Sequence, residues 1–139
     1  MSDERDTFGP VIHRYTRAEA LEDGTLVAVP DEHRHGAGFT VPVALTATAW
    51  ADCVAWDEHA EAAKPTATGQ DETGRLWDVL TMARLAAQNS AGASRVDFVV
   101  LRVPPTGADT RARLSTLSLH IGPGDDGRPV VTILRPGED

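Results

Sequence analysis

DETGRLWDVLTMARLAAQN, residues 71–89, is the stretch of sequence that decides the fold. Its apolar side chains recur at three- and four-residue spacing, which is typical of an amphipathic helix with one buried face. Asp71 stands directly before the periodic residues and is of a type that favours the helix N-cap. The sequence therefore predicts a central helix from Glu72 to Asn89. Its apolar stripe consists of Leu76, Leu80, Ala83 and Ala87.

Three extended segments follow this helix: RVDFVVLRV at residues 95–103, RLSTLSLHI at 113–121 and RPVVTIL at 128–134. Turn-forming residues separate them, which predicts three consecutive antiparallel strands. The first segment carries bulky apolar residues on both faces, and this pattern predicts a central strand. In the second segment, Leu114 is out of parity with the other apolar residues, which predicts a bulge or a late strand start near Ser115.

Shorter elements precede the central helix. Thr16 and Glu19 have the spacing of a capping box, and Gly24 is placed to end a short helix in a left-handed turn. The segments TLVAVP and FTVPVAL are predicted to be extended, and Thr46 is expected to cap a second helix. The stretch from Asp57 to Thr68 has no apolar period and is predicted to be a long surface loop.

These elements together predict an α+β fold. It is a single domain with a C-terminal three-stranded antiparallel meander and a central amphipathic helix packed on one face. Residues 1–10 lack periodicity and are predicted to form a flexible N-terminal tail. The single α+β domain is accordingly expected to span residues 11–139.

Composition disfavours several function classes. The formal net charge is -8 and Lys64 is the only lysine, so direct nucleic-acid binding is not expected. A lone cysteine, Cys53, leaves no partner for a disulfide within the chain and falls short of a cysteine-based metal cluster. The chain has neither an apolar run long enough to span a membrane nor a start typical of a signal peptide. A cytoplasmic protein without a cofactor, a bound metal or membrane contact is predicted.

GPGDDGRP, residues 122–129, admits three interpretations: a phosphate-binding loop, a metal loop or a tight turn. A phosphate-binding loop leads into a helix, whereas a strand is predicted here, and the spacing of a calcium loop is not present. An Asp126-Gly127 hairpin turn of type I′ is therefore favoured. Asp125 and Asp126 remain candidate binding residues if the loop takes a ligand.

Asp71, Arg75 and Asp78 lie on one face of the central helix, where two carboxylates would flank an arginine. This arrangement is the best candidate for acid-base chemistry in the sequence. The alternative is structural, because Asp71 also has a helix cap to provide and Arg75 can pair with either acid. No residue is predicted to be catalytic.

Other candidates are isolated side chains. Trp56 lies at the end of the second predicted helix, beside an acidic loop, and is the best candidate for an exposed aromatic that stacks on a ligand. Cys53 with His120 would offer a nucleophile and a base, although Cys53 lies on an apolar helix face and is expected in the core. His33 and His35 would share a face in a strand and hold zinc there, but a polar turn is the favoured interpretation.

Four blocks of the chain resemble domain of unknown function family 6573, a family of small uncharacterised proteins from bacterial genomes, plasmids and phages. The resemblance implies a setting in mobile genetic elements, where small acidic proteins often counter host defences or regulate transfer. It implies no catalytic residues. The blocks are YTRAEALEDGTLVAVP, AGFTVPVALTATAWADCV, GQDETGRLWDVL and GPGDDGRPVVTILRPGED.

The expected function is a non-catalytic binding or interaction protein of a mobile genetic element. A host protein is the candidate partner, engaged through the acidic surface in a counter-defence or regulatory role. The alternative is a small hydrolase or transferase with its site at Asp71, Arg75 and Asp78.

Overall fold

The computed structural model describes residues 14–138 and shows a single small α+β domain. Five strands form one mixed sheet in the order β1-β2-β5-β4-β3, in which β2 and β5 run parallel and all other neighbours are antiparallel. The predicted tail at residues 1–10 lies outside the described residues. The elements are α1 (Arg17–Asp23), β1 (Leu26–Ala28), α2 (Asp31–Gly36), β2 (Val43–Thr46), α3 (Ala47–Cys53), α4 (Glu58–Ala62), α5 (Glu72–Asn89), β3 (Arg95–Arg102), β4 (Arg113–Pro123) and β5 (Pro129–Leu134).

Helix α5 has the predicted bounds and packs on one face of the sheet, called the α5 face. Asp71 is its N-cap, because the carboxylate Oδ1 accepts a hydrogen bond from the Gly74 amide at 2.6 Å. Burial of apolar side chains between α5 and the sheet is the main stabilising contribution to the fold. The core joins Leu76, Val79, Leu80 and Ala83 of the helix to Phe98, Val100, Leu117, Leu119 and Ile133 of the sheet.

The three C-terminal strands match the predicted meander in part. β3 pairs antiparallel with β4, and β4 pairs antiparallel with β5. The sheet does not stop there, because β2 adds to the far side of β5 and β1 adds to β2. The C-terminal strands are therefore three of the five strands in a mixed sheet that also uses the N-terminal half of the chain.

The prediction that β3 is a central strand is wrong, because β3 is the last strand at one edge of the sheet. Phe98 and Val100 point into the core, whereas Val99 and Leu101 on the other face are 43% and 59% exposed. β3 is therefore buried on one face only. Within residues 14–138, no element covers the face that carries Val99 and Leu101.

The expected irregularity near Ser115 is also absent from the described strand. β4 begins at Arg113 and pairs without interruption from Arg113 to His120. Leu114 lies directly opposite Leu101 and is 67% exposed. The parity of Leu114 therefore reflects its position on the exposed face of a regular strand, and no bulge is needed to explain it.

The region predicted as a long surface loop contains the short helix α4. Asp57 caps this helix by accepting a hydrogen bond from the Ala60 amide at 2.8 Å. Glu61 then accepts hydrogen bonds from Trp56 Nε1 at 3.0 Å and from the Thr68 amide at 3.0 Å. Polar side chains hold this helix in place, and its sequence lacks the apolar stripe from which a helix is predicted.

Helix α1 lies against the opposite face of the sheet, called the α1 face. The predicted capping box of Thr16 and Glu19 is confirmed, as is the left-handed Gly24 at the helix end, which has a φ of 87°. Arg17 Nη1 donates to Thr132 Oγ1 at 2.6 Å. Since Val131 and Ile133 point into the core, Thr132 between them faces α1.

Candidate functional site

Arg75, the cation of the predicted acid-base cluster, is only 3% exposed. Its guanidinium donates to three backbone carbonyls: Val54 at 3.1 Å, Val103 at 3.0 Å and Asp52 at 3.2 Å. These carbonyls lie in α3, just after α3 and just after β3. Arg75 therefore joins α5 to both neighbouring elements and has few donors left for a ligand.

Asp71 and Asp78 do not surround the guanidinium of Arg75. Asp71 is the N-cap of α5, and the exposed Asp78 makes no hydrogen bond to Arg75 within residues 14–138. Burial lowers the pKa of Arg75, and the nearby charge of Asp78 only partly opposes that effect. The arrangement matches structural use of Arg75 better than an acid-base site.

Trp56 packs against two cations. The Arg75 guanidinium carbon lies 4.8 Å from the centre of the indole ring, and Lys64 Nζ lies 5.7 Å from it. The indole is partly buried, and its Nε1 donates to Glu61. Such cation-π contacts stabilise the fold and leave Trp56 less available for stacking on a ligand than an exposed aromatic would be.

A polar cluster that the sequence did not reveal lies beside Arg75. Asp52 Oδ1 accepts hydrogen bonds from Arg102 Nε at 3.2 Å and Nη2 at 3.0 Å, and Asp52 Oδ2 accepts from Ser115 Oγ at 2.9 Å. Burial opposes ionisation of Asp52, but the hydrogen bonds from Arg102 and Ser115 outweigh it and keep the pKa of this carboxyl below its usual value. The three residues come from α3, β3 and β4, so no local motif announces the cluster.

Cys53 borders this cluster and is buried. Burial raises the pKa of its thiol to about 11, which keeps the sulfur protonated and unreactive at neutral pH. Cys53 Sγ donates to Ser115 Oγ at 3.7 Å on the α5 face, whereas His120 has the opposite parity in β4 and points to the α1 face. The structure therefore does not bring Cys53 and His120 together as nucleophile and base.

The segment GPGDDGRP forms a hairpin turn between β4 and β5. The Gly127 amide donates to the Gly124 carbonyl at 3.0 Å, and the Gly124 amide donates to the Arg128 carbonyl at 2.7 Å. Gly127 has a φ of 84°, but no residue other than glycine has a positive φ within residues 14–138. The predicted turn is therefore in the expected place, but the type I′ assignment is wrong, because Asp126 is not left-handed.

The two aspartates of this turn have different partners. Asp126 Oδ1 accepts from the Arg128 amide at 2.9 Å, which stabilises the turn locally. The carboxylate of Asp125 instead accepts from the backbone amides of Arg17 and Ala18, each at 2.9 Å. These hydrogen bonds lower the pKa of Asp125. Asp125 thus attaches the start of α1 to the C-terminal hairpin.

An open groove of about 1040 Å³ lies along the α1 face of the sheet, beside the attached start of α1. Its floor comes from β4 and β5, and its walls come from the start of α1 and the start of β3. Thr46, Thr48 and Glu138 also line it. The other polar residues of the lining include Arg14, Tyr15, Arg17, Arg95, His120 and Thr132.

Arg17 is one of the cations of the groove, and within residues 14–138 its guanidinium donates hydrogen bonds to neutral acceptors. Besides the Thr132 hydroxyl, its guanidinium donates to the Val131 carbonyl at 2.8 Å. Burial lowers the pKa of Arg17, and the charge of Asp125 only partly offsets this effect. The Arg17 guanidinium is therefore a partly buried cation that is not bonded to a carboxylate within residues 14–138, because Asp125 contacts the backbone amide of Arg17 instead.

His120 and Glu138 complete the electrostatics of the groove. His120 Nε2 is buried and has no hydrogen-bond partner within residues 14–138. Glu138 accepts from Thr46 Oγ1 at 2.9 Å and also from the Thr48 hydroxyl, so its carboxylate is already bonded to protein groups. The groove therefore combines an unpartnered ring nitrogen with cations, hydroxyls, apolar side chains and the carboxylates of Asp125 and Glu138.

Residues 7–139 match a family described as Family of unknown function (DUF6573). The chain belongs to this family. The match confirms the family resemblance carried by the four sequence blocks. No curated protein and no solved structure matches the chain at a significant level.

Two further properties of this DUF6573 member concern the described residues. No group of three or more histidine, cysteine, aspartate or glutamate side chains in residues 14–138 is placed to hold a metal ion. His33 lies in α2, where its ring contacts Trp77 with the ring centres 5.4 Å apart. Because positions two apart on a helix face different directions, His33 and His35 do not form the zinc pair considered for a strand. None of the helices described is long and apolar enough to cross a membrane.

Proposed function

We propose that this DUF6573 member is a non-catalytic binding protein and that the groove on the α1 face is where its partner binds. The observation that carries the proposal is the groove itself, which has a volume of about 1040 Å³ and lies on the side of the sheet away from α5. Binding sites are typically concave and combine apolar walls with a few placed polar groups. Leu26, Val130 and Leu134 supply apolar lining, and Arg17 and His120 supply polar groups.

A catalytic role has less support because the reactive side chains outside the groove serve the fold. Arg75 is occupied by backbone carbonyls, Asp52 by Arg102 and Ser115, and the Cys53 thiol is protonated at neutral pH. The alternative of a small hydrolase or transferase at Asp71, Arg75 and Asp78 would need a free guanidinium between two carboxylates. Neither carboxylate holds Arg75 in that way.

The proposed setting is the cytoplasm of a bacterium that carries a plasmid or phage, with a host protein as the partner. The lone cysteine is consistent with a reducing compartment. The net charge of -8 and the single lysine disfavour nucleic acid as the partner, because phosphate binding depends on clustered positive charge. A counter-defence or regulatory role would follow from binding such a host protein.

Site-specific photo-crosslinking tests the proposal in the host cell. A photoreactive phenylalanine replaces Tyr15, an aromatic residue of the groove that is 58% exposed. The same residue at Gln88, exposed on α5, is the matched control on the other side of the sheet. We expect one host protein to be crosslinked from position 15 and not from position 88. Equal labelling at both positions, or no adduct from position 15, would contradict binding in the groove.

A further inference from the structure

We infer that the groove recognises carboxylate groups on an extended acidic segment of the partner protein, an inference that rests on the proposed function of the groove. The protein as a whole is acidic, with a net charge of -8. The groove departs from that balance, because its lining brings together three guanidinium groups. They belong to Arg14, Arg17 and Arg95.

Arg17 provides the first argument for an anionic ligand. Its guanidinium is fixed over the sheet by hydrogen bonds to the Thr132 hydroxyl at 2.6 Å and the Val131 carbonyl at 2.8 Å. Neutral acceptors orient a guanidinium without cancelling its charge. A guanidinium held in this way is prepared for a carboxylate, which it binds through short and strong charge-assisted hydrogen bonds.

The register of the sheet provides the second argument. Arg95 lies opposite His120 across β3 and β4, and His120 lies opposite Thr132 across β4 and β5. Directly opposed side chains point to the same face and have Cβ atoms about 5 Å apart. Arg95, His120 and Thr132 with Arg17 therefore form one row that crosses the groove from wall to wall. His120 Nε2, which has no partner within residues 14–138, lies in the middle of that row.

The remaining lining favours a carboxylate on a peptide over a phosphate. Asp125 and Glu138 both line the groove, and their negative charges repel a doubly charged phosphate more strongly than a singly charged carboxylate. Apolar side chains lie along the same groove, which suits a segment that alternates acidic and apolar residues. These are Leu26, Val130 and Leu134.

Amide chemical shifts of the full ¹⁵N-labelled chain, followed during titration, test this inference. The probe is an acetylated Glu-Leu-Glu-Leu-Glu-Leu peptide, and the comparison ligands are the same peptide with Gln for Glu, and inorganic phosphate. We expect saturable shifts at Arg17, His120 and Thr132 with the Glu peptide alone. We also expect affinity to fall when the salt concentration rises, because ion pairing is screened.

Variants of the two groove arginines separate binding from folding. Arg14→Gln changes an exposed side chain, and Arg17→Gln removes the fixed cation. Each is expected to weaken the Glu peptide about tenfold, the effect of losing one charge-assisted contact. Arg111→Gln, in the exposed loop at the opposite end of β3 and β4, is the control and should bind as the parent does. Melting temperatures show whether Arg17→Gln is still folded, and Arg14→Gln keeps the test valid if it is not.

Three results would overturn the inference. The first is equal binding of the Glu and Gln peptides. The second is saturation of the same residues by phosphate but not by the Glu peptide, and the third is the absence of a shift at Arg17, His120 and Thr132 with every ligand. In each case the crosslinking at position 15 is read separately. A crosslinked partner together with any of these results would support the groove as a binding surface but reject recognition of acidic groups. Binding of the Glu peptide without a crosslinked partner would reject the proposed function.

Discussion

The carboxylate of Asp125 lies 2.9 Å from the backbone nitrogen of Arg17, although the two residues are 108 positions apart in the sequence. Asp125 also accepts from the next amide, that of Ala18. Its two oxygens thus satisfy two amides in the first turn of α1, which have no acceptor within the helix itself. A residue of the C-terminal hairpin therefore completes the N-terminal helix and holds one wall of the groove.

Asp125→Asn is expected to lower the melting temperature at pH 7, because an amide has one acceptor oxygen where the carboxylate has two. The folded pKa of Asp125 is lowered by the Ala18 and Arg17 amides. Its stabilising effect is therefore present above the unfolded pKa of about 4 and is lost as the pH falls through the folded value. Melts from pH 7 to pH 2 should show the parent and the variant converging at low pH.

The control for this prediction is Asp126→Asn. Within residues 14–138, Asp126 accepts one hydrogen bond, from the Arg128 amide, and asparagine can accept that bond equally well. Its ion pair with Arg128 Nε, at 3.7 Å, is exposed and contributes little to stability. Its melting temperature should stay close to that of the parent. A drop in Asp126→Asn as large as that in Asp125→Asn would show that the attachment of α1 is not the cause.

Gly127→Ala is expected to destabilise the protein by about 1 kcal/mol, the cost of a left-handed conformation for a residue with a Cβ. The φ of Gly127 is 84°, and an added Cβ would meet no atom within 4 Å, so backbone strain is the only cost. Gly122→Ala, also in open space but without a positive φ, is the control. Urea denaturation measures both. Equal stability of the two variants would contradict the turn geometry.

Arg75→Met is expected to reduce the free energy of unfolding by about 3 kcal/mol, because three buried carbonyls lose their donor. Asp78→Asn changes an exposed side chain and should stay within about 0.5 kcal/mol of the parent. Stability and partner binding are measured on the same samples. If Asp78→Asn were as stable as the parent but had lost binding, the Asp71, Arg75 and Asp78 face would replace the groove as the functional site.

Cys53 should resist alkylation in the folded protein. Its thiol pKa is raised from 9.0 to about 11, which lowers the thiolate fraction at pH 8 roughly 100-fold, since each pKa unit is a factor of ten. Burial slows the reaction further. Iodoacetamide labelling at pH 8, with and without urea, measures the difference by mass spectrometry. Labelling at the same rate in both conditions would contradict the buried position of Cys53.

Elements specified by neighbouring residues could be predicted from the sequence. Helix α5 has both an apolar stripe and an N-cap within its own stretch, and its bounds agree with the prediction. The capping box of α1 is equally local. In contrast, β3 is an edge strand because of the strand order, which its own residues do not encode. Val99 and Leu101 are as apolar as residues of a central strand but remain exposed.

The groove was beyond prediction for the same reason. Arg17, Arg95, His120 and Thr132 come from four separate elements and share no motif or spacing in the sequence. The segment GPGDDGRP did signal an unusual turn, but the partner of Asp125 lies at the other end of the chain. Of the residues that did form a compact pattern, Asp71 caps its own helix, Arg75 binds backbone carbonyls and Asp78 is exposed.

The strand order also sets the timing of folding during synthesis. β5 is the last of the five strands to leave the ribosome, yet it lies in the middle of the sheet, between β2 and β4. The N-terminal pair β1-β2 and the β3-β4 hairpin have no strand between them until β5 has emerged. The sheet therefore closes late and through contacts distant in sequence, which favours slow folding and leaves two incomplete sheets open to nascent-chain association until then.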